Sequence, residues 1–260
     1  MTALLVGFAA VLGLVVGSFL NVVIWRVPRG ESVVRPPSHC PRCDMPISPR
    51  DNVPVLSWLL LRGRCRHCGE PISGRYPAVE LLTCAVFAGT AARLGEDWAL
   101  PAFLYLAAVA VALALIDLDT KKLPNVLVLP SYVVGVVLLG AAAFAEREPW
   151  LAVRALIGMA VLYAIYFALA FAYPAGMGFG DVKLAGVVGL YLGYLGWPTW
   201  TVGWLLGFFL GGVFGVVAMV ARRATRKTMV PYGPFMILGA FLAIWWGQAI
   251  ADLYLGATVG

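Results

Sequence analysis

An all-α protein that crosses a membrane repeatedly is what this sequence predicts, and three observations predict it. Of its 260 residues, 62% are hydrophobic. Only 12% are charged, about half the share of an ordinary soluble domain. The apolar residues also fall in runs of roughly the 17–25 residues that a helix needs to cross a bilayer. Eight runs can be read, at 1–24, 78–94, 98–118, 124–145, 150–173, 182–197, 198–221 and 232–256, of which 182–197 is the shortest. The fold class is a polytopic bundle of about eight transmembrane helices with one small polar insertion.

The first run, Met1 to Ile24, lacks a basic leader and a small-residue cleavage pattern, and is expected to be a retained span. The cations set the orientation, because Lys and Arg concentrate on the cytoplasmic side of a membrane. With the N-terminus outside, the segment 25–77, Lys121, Lys122, Lys183, Arg222, Arg223, Arg226 and Lys227 are cytoplasmic, which makes 16 of the 19 Lys and Arg. Arg93, Arg147 and Arg154 remain outside. The net charge of +6 is therefore mostly a topology signal, and no basic stripe with interleaved aromatics argues for nucleic acid.

The chain divides into a first helix (1–25), a cytoplasmic polar region (26–77) and a membrane domain (78–260). The polar region carries two C-x-x-C pairs, Cys40/Cys43 and Cys65/Cys68. Two such turns can close a tetrahedral Zn²⁺ site, although the gap between them slightly exceeds the usual range. A structural metal suits a segment too short to bury its own core. Reduced cysteines without metal are the plain alternative. His39 and His67 flank the pairs and are expected to be bystanders, and Cys84 in an apolar run reads as a small buried hydrophobe.

Carboxylates at a membrane edge are costly and invite a functional hypothesis. Asp117 and Asp119 close the third run in "LIDLDTKKLPN", and Asp181 opens the sixth in "GMGFGDVKLAG". Asp117 and Asp119 lie about 200° apart around a helix, so one at most faces a given partner. Two carboxylates on different helices at one face are the minimum for hydrolysis by a shared-proton pair, one activating water and the other donating a proton. A helix N-terminus at Asp181 and a C-terminus at Asp117 predict Asp181 as base and Asp117 as acid. The bland reading pairs Asp117 with Lys121 at i+4. Elsewhere, Asn21 is expected to bond to a neighbouring helix. Glu80 is expected either to cap its helix or to touch the polar region. Gly203, Gly207, Gly211 and Gly215 form a strip for close helix contact.

In order along the chain, "GSFLNVVIWRVPRG", the two C-x-x-C pairs, "GRYPAVELLT", "LIDLDTKKLPN" and "GMGFGDVKLAG" resemble the type IV prepilin leader peptidases. The resemblance covers nearly the whole chain. It implies an aspartic membrane peptidase with catalytic Asp117 and Asp181, and makes Asp119 a bystander. It also implies removal of a short basic leader from type IV prepilins and pseudopilins at the cytoplasmic face of the bacterial inner membrane. N-methylation of the new N-terminus from S-adenosylmethionine follows in the larger members, to which the cysteine region is linked. Peptidase activity without methylation is the alternative, because 26–76 contains no familiar cofactor loop and the methyl-donor residues cannot be placed. Hydrolysis is expected to be direct, since no serine or cysteine has a nearby general base of the kind a covalent mechanism needs. An ion-coupled transporter or metal sensor and a purely structural membrane module are the competing classes.

Overall fold

The computed structural model describes residues 2–173, 177–221 and 231–259, the side chains of Ala218 and 255–259 excepted. Arg222, Arg223, Arg226 and Lys227, expected to anchor the topology, and Gly176 lie outside the described residues. Nine α-helices are described: α1 (Thr2–Arg26), α2 (Leu56–Leu60), α3 (Arg75–Leu94), α4 (Leu100–Thr120), α5 (Asn125–Ala145), α6 (Pro149–Ala172), α7 (Phe179–Leu195), α8 (Trp197–Val220) and α9 (Gly233–Val259). Prolines in the first turns of α4, α6 and α8 mark their starts, where a missing N–H costs nothing. Lys121 ends α4 in the left-handed conformation (φ 54°), and its N–H returns to the carbonyl of Asp117 at 2.8 Å.

Seven of the described helices are long and apolar enough to cross a bilayer. The eighth expected span, α7, has only 17 residues but runs through the middle of the bundle, with Val182 and every residue from Leu184 to Tyr194 buried. Its N-terminus lies beside the end of α4. At its other end, Arg154 of α6 donates through Nε to the carbonyl of Gly193 at 2.8 Å, and through Nη2 to that of Tyr194. A cation there satisfies orphan carbonyls and complements the negative end of the helix. Thus α7 connects the two faces of the bundle, and the eight-helix expectation holds. Arg154, counted as an outside cation, is also a helix cap.

Lipid offers no hydrophobic drive for helix association, so close contact of small residues must supply it. At the α6–α7 seam, a Cβ on Gly158 would lie 2.7 Å from the carbonyl oxygen of Gly189. Gly13 and Gly17 bring α1 equally near α3. Gly203, Gly207 and Gly211 of the expected strip do meet neighbours from α7 and α9, but Gly215 faces open space, so the strip is one turn shorter than predicted.

The polar region folds as two copies of one turn. Cys40 N–H donates to the carbonyl of Met45 and Asp44 N–H to that of Cys40; Cys65 donates to Glu70 and Gly69 to Cys65 in the same way. Asp44 (φ 53°) and Gly69 (φ 73°) occupy the same left-handed position. The repeat is visible in "CPRCDMPIS" and "CRHCGEPIS", 25 residues apart. The region is fastened to the membrane domain by Glu80 of α3, which is 7% exposed and accepts the N–H of Val55 at 2.7 Å. Contact with the polar region, the sharper expectation for Glu80, is therefore what is found. Asn21 bonds across to the carbonyl of Tyr76 at 3.2 Å, as expected of an interhelical amide.

Candidate active site

Asp117 ends α4 and Asp181 lies in the first turn of α7, and the fold brings the two to one cleft of about 450 Å³. Asp181 is close enough to feel the charge of Asp117. The ends of α4 and α5 supply Lys121, Lys122, Leu123, Pro124 and Asn125 to the wall. Val27 and Pro28, directly after α1, complete the rim. The cleft is therefore bordered by the first residues of the cysteine-bearing segment.

Each carboxylate is held by backbone. Asp117 is 4% exposed, and its Oδ2 accepts the N–H of Gly233 at 3.0 Å. Gly233 is the first residue of α9, so Asp117 meets the positive end of a second helix. Asp181 Oδ2 accepts the N–H of Gly178 at 3.2 Å, the return bond of a helix-start box. Both carboxylates consequently rest on helix N-termini. The expected division into base and acid by opposite helix ends loses its premise, because α9 supplies Asp117 with the same kind of donor that Asp181 has.

Asp119 turns elsewhere. Its carboxylate receives both terminal nitrogens of Arg75 at the start of α3, and it does not line the cleft. Among the described residues no ion pair joins Asp117 to Lys121, so the bland reading of Asp117 is not what is observed.

The glycines around Asp181 are not required for backbone freedom. Gly178 is extended (φ −75°, ψ 144°) and Gly180 is helical, conformations any residue adopts. Their role is clearance: a Cβ on Gly178 would lie 3.3 Å from Asp181 Oδ2, and one on Gly180 would lie 3.1 Å from Cβ of Leu123. Lys183 lies across the cleft, its Nζ donating to Asn125 Oδ1 at 2.9 Å and lying 4.9 Å from the centre of the Phe179 ring.

Sequence reasoning missed Gly233, Tyr166 and Tyr232. The two tyrosines join hydroxyls at 3.1 Å behind the cleft. A glycine before proline in "VPYGPF" was the available signal for Gly233. Nothing local marks the tyrosines.

The second polar centre is separate. The sulfurs of Cys40, Cys43, Cys65 and Cys68 all lie within 4.8 Å of one another, with Cys40 and Cys68 at 3.8 Å. Four sulfurs about 2.3 Å from a zinc ion stand roughly 3.8 Å apart, so the donor set fits a tetrahedral metal. Backbone N–H groups of Cys68 and His67 pull the Cys65 thiol down to about 7. Cys68 goes up to about 12, partial desolvation and the neighbouring thiols outweighing the N–H of Glu70. His39 points its Nδ1 at the carbonyl of Pro37, and neither histidine joins the sulfur group. Cys84 remains a free, half-buried thiol in α3.

A helical membrane bundle with two carboxylates on one cleft, joined to a four-thiol module, defines a polytopic membrane protein with two distinct polar centres. Comparison with known proteins makes the class specific. Residues 11–94 match the bacterial peptidase A24 N-terminal domain, and residues 104–216 match the type IV leader peptidase family. The chain is 36% identical to a prepilin leader peptidase/N-methyltransferase of Aeromonas hydrophila, covering 93% of this chain and 91% of the relative. It is 34% identical to the protein of that name in Pseudomonas aeruginosa, covering 94% and 91%. It is 38% identical to an Escherichia coli type 4 prepilin-like proteins leader peptide-processing enzyme, covering 91% and 92%. No solved structure matches. The chain belongs to the type IV leader peptidase family.

Proposed function

We propose that this protein cleaves the short basic leader from type IV prepilins and pseudopilins and then N-methylates the new N-terminus with S-adenosylmethionine. The observation that carries the peptidase reading is the meeting of Asp117 and Asp181, from helices α4 and α7, on one open cleft. The names of relatives that match over nine-tenths of the chain support both activities.

In this mechanism the leader junction enters the cleft while the substrate's apolar helix stays in the membrane. One aspartate takes a proton from water as the water oxygen attacks the scissile carbonyl. The other gives a proton to the departing amide nitrogen as the C–N bond breaks. The pair titrates as a unit, and with both carboxylates on helix N-termini the roles are assigned to the pair. No acyl-enzyme is needed, and no serine, threonine or cysteine is among the described cleft-lining residues.

Cys40, Cys43, Cys65 and Cys68 would hold a structural Zn²⁺, which ties the two turns of region 26–77 together. That region serves the methylation and 78–260 the proteolysis. Val27 and Pro28 at the rim leave a short path for a cleaved N-terminus between the two. The cation distribution supports a reading with the N-terminus outside and the cleft at the cytoplasmic face of the inner membrane.

Mass spectrometry of a co-expressed prepilin tests the reading, since it reports cleavage and methylation together. Native protein should yield shortened, methylated product, and Asp117→Asn and Asp181→Asn should leave the leader attached. Processing by both variants would overturn the aspartyl mechanism. Cleavage without methylation would leave a peptidase alone.

A further inference from the structure

The start of α9 touches Asp117, and nothing in the family resemblance gives it a role. Gly233 donates its N–H to Asp117 Oδ2 at 3.0 Å in a buried setting. A Cβ on residue 233 would lie 2.9 Å from that same oxygen and 3.5 Å from the carboxyl carbon. No real side chain tolerates the first distance without moving the carboxylate. The residue before it, Tyr232, joins hydroxyls with Tyr166 of α6 at 3.1 Å. Tyr166 is 1% exposed. Their rings are fixed by Phe208 of α8, 5.3 Å from Tyr166 and 5.9 Å from Tyr232 between centroids.

The hydroxyl pair fixes where Tyr232 sits, and with it the adjacent Gly233 N–H that Asp117 accepts.

We propose that Tyr232 and Gly233, with Tyr166 behind them, are positioning residues that hold Asp117 in register with its partner. Gly233 fixes Asp117 through its N–H and its missing Cβ, and the tyrosine hydroxyl bond fixes the backbone that carries that N–H. This rests on the aspartyl-pair reading above.

Steady-state cleavage of a prepilin by purified variants tests it, with melting temperature measured on each. Gly233→Ala should lower kcat by on the order of 10²-fold with KM unchanged, the cost of a misplaced catalytic group. Tyr232→Phe and Tyr166→Phe keep the rings and lose one hydroxyl. Each should lower kcat several-fold at unchanged KM and melting temperature. The double variant should be no worse than either single one, because one shared hydrogen bond is lost in all three. Full kcat in both Phe variants, additive losses, or losses that follow the melting temperature would overturn the tyrosine part. Full kcat in Gly233→Ala would overturn the Gly233 part. Activity in Asp117→Asn and Asp181→Asn would instead overturn the underlying pair, so the failures are separable.

Discussion

The cysteine module and the membrane bundle are built by opposite means. In the module, order comes from short-range backbone bonds, with Cys40 to Met45 and Cys65 to Glu70 closing their turns within five residues. In the bundle, order comes from contacts far apart in sequence. Asp117 reaches Gly233 across 116 positions, and Arg154 reaches Gly193 across 39. Opening the module is therefore expected to leave the bundle folded. The bundle's site, in contrast, answers to changes on any of four helices. The two meet where Glu80 of α3 accepts the N–H of Val55.

The largest expected effect falls in the bundle. Asp117→Asn or Asp181→Asn should reduce leader cleavage by 10²–10⁴-fold, roughly the worth of a general acid or base. Metal content by elemental analysis should stay that of the native protein, so loss of metal in these variants would show the two regions to be coupled. Next comes the module. Cys40→Ser, or chelation, should remove the metal and expose amides 38–73 to hydrogen exchange. Protection in α4 and α7 should persist; global loss of protection would make the module part of the bundle's core.

The joint between them is sharper still. Glu80→Ala leaves the N–H of Val55 without its carboxylate partner, at a cost of about 1–3 kcal/mol. Faster exchange should be confined to residues 52–61, and Glu80→Gln, which keeps an acceptor, should restore most of the protection. An effect reaching Asp117 would show that the joint transmits strain. The smallest effect is expected at Asp119→Asn. Its partner Arg75 is half exposed, and a surface ion pair is worth about 0–1 kcal/mol. Cleavage should be unchanged, and a large loss would move Asp119 from bystander to participant.

These two modes of construction also explain what could be read from residues alone. The helices were legible because lipid demands long apolar runs, and even α7 was found at nearly its observed limits. The thiol cluster was legible because a C-x-x-C turn is a local object. Its duplicated frame escaped notice although "CPRCDMPIS" and "CRHCGEPIS" stand side by side. Asp117 and Asp181 were legible as carboxylates at one membrane face, with the family motifs selecting Asp117 over Asp119. The bond between Asp117 and Gly233 was not legible, since no pattern within either segment reports a contact with the other. That missing contact is why the helix-end argument alone does not divide acid from base. The role of Gly180 was hidden for a similar reason, because its clearance from Leu123 depends on a neighbour 57 residues away.

The seam between α6 and α7 bears on how the protein can change through evolution. Gly158 and Gly189 stand almost backbone to backbone, and Arg154 clasps the far end of α7. The helix is keyed like a shaft in a slot, unable to turn or slide on its own. One residue inserted between Asp181 and Gly189 would swing the carboxylate through about 100° and shift it about 1.5 Å along the axis. Substitutions along this stretch can be repaired by neighbours, but a change of length cannot. The interval from Asp181 to Gly193 is therefore a ruler, and its length is inherited whole.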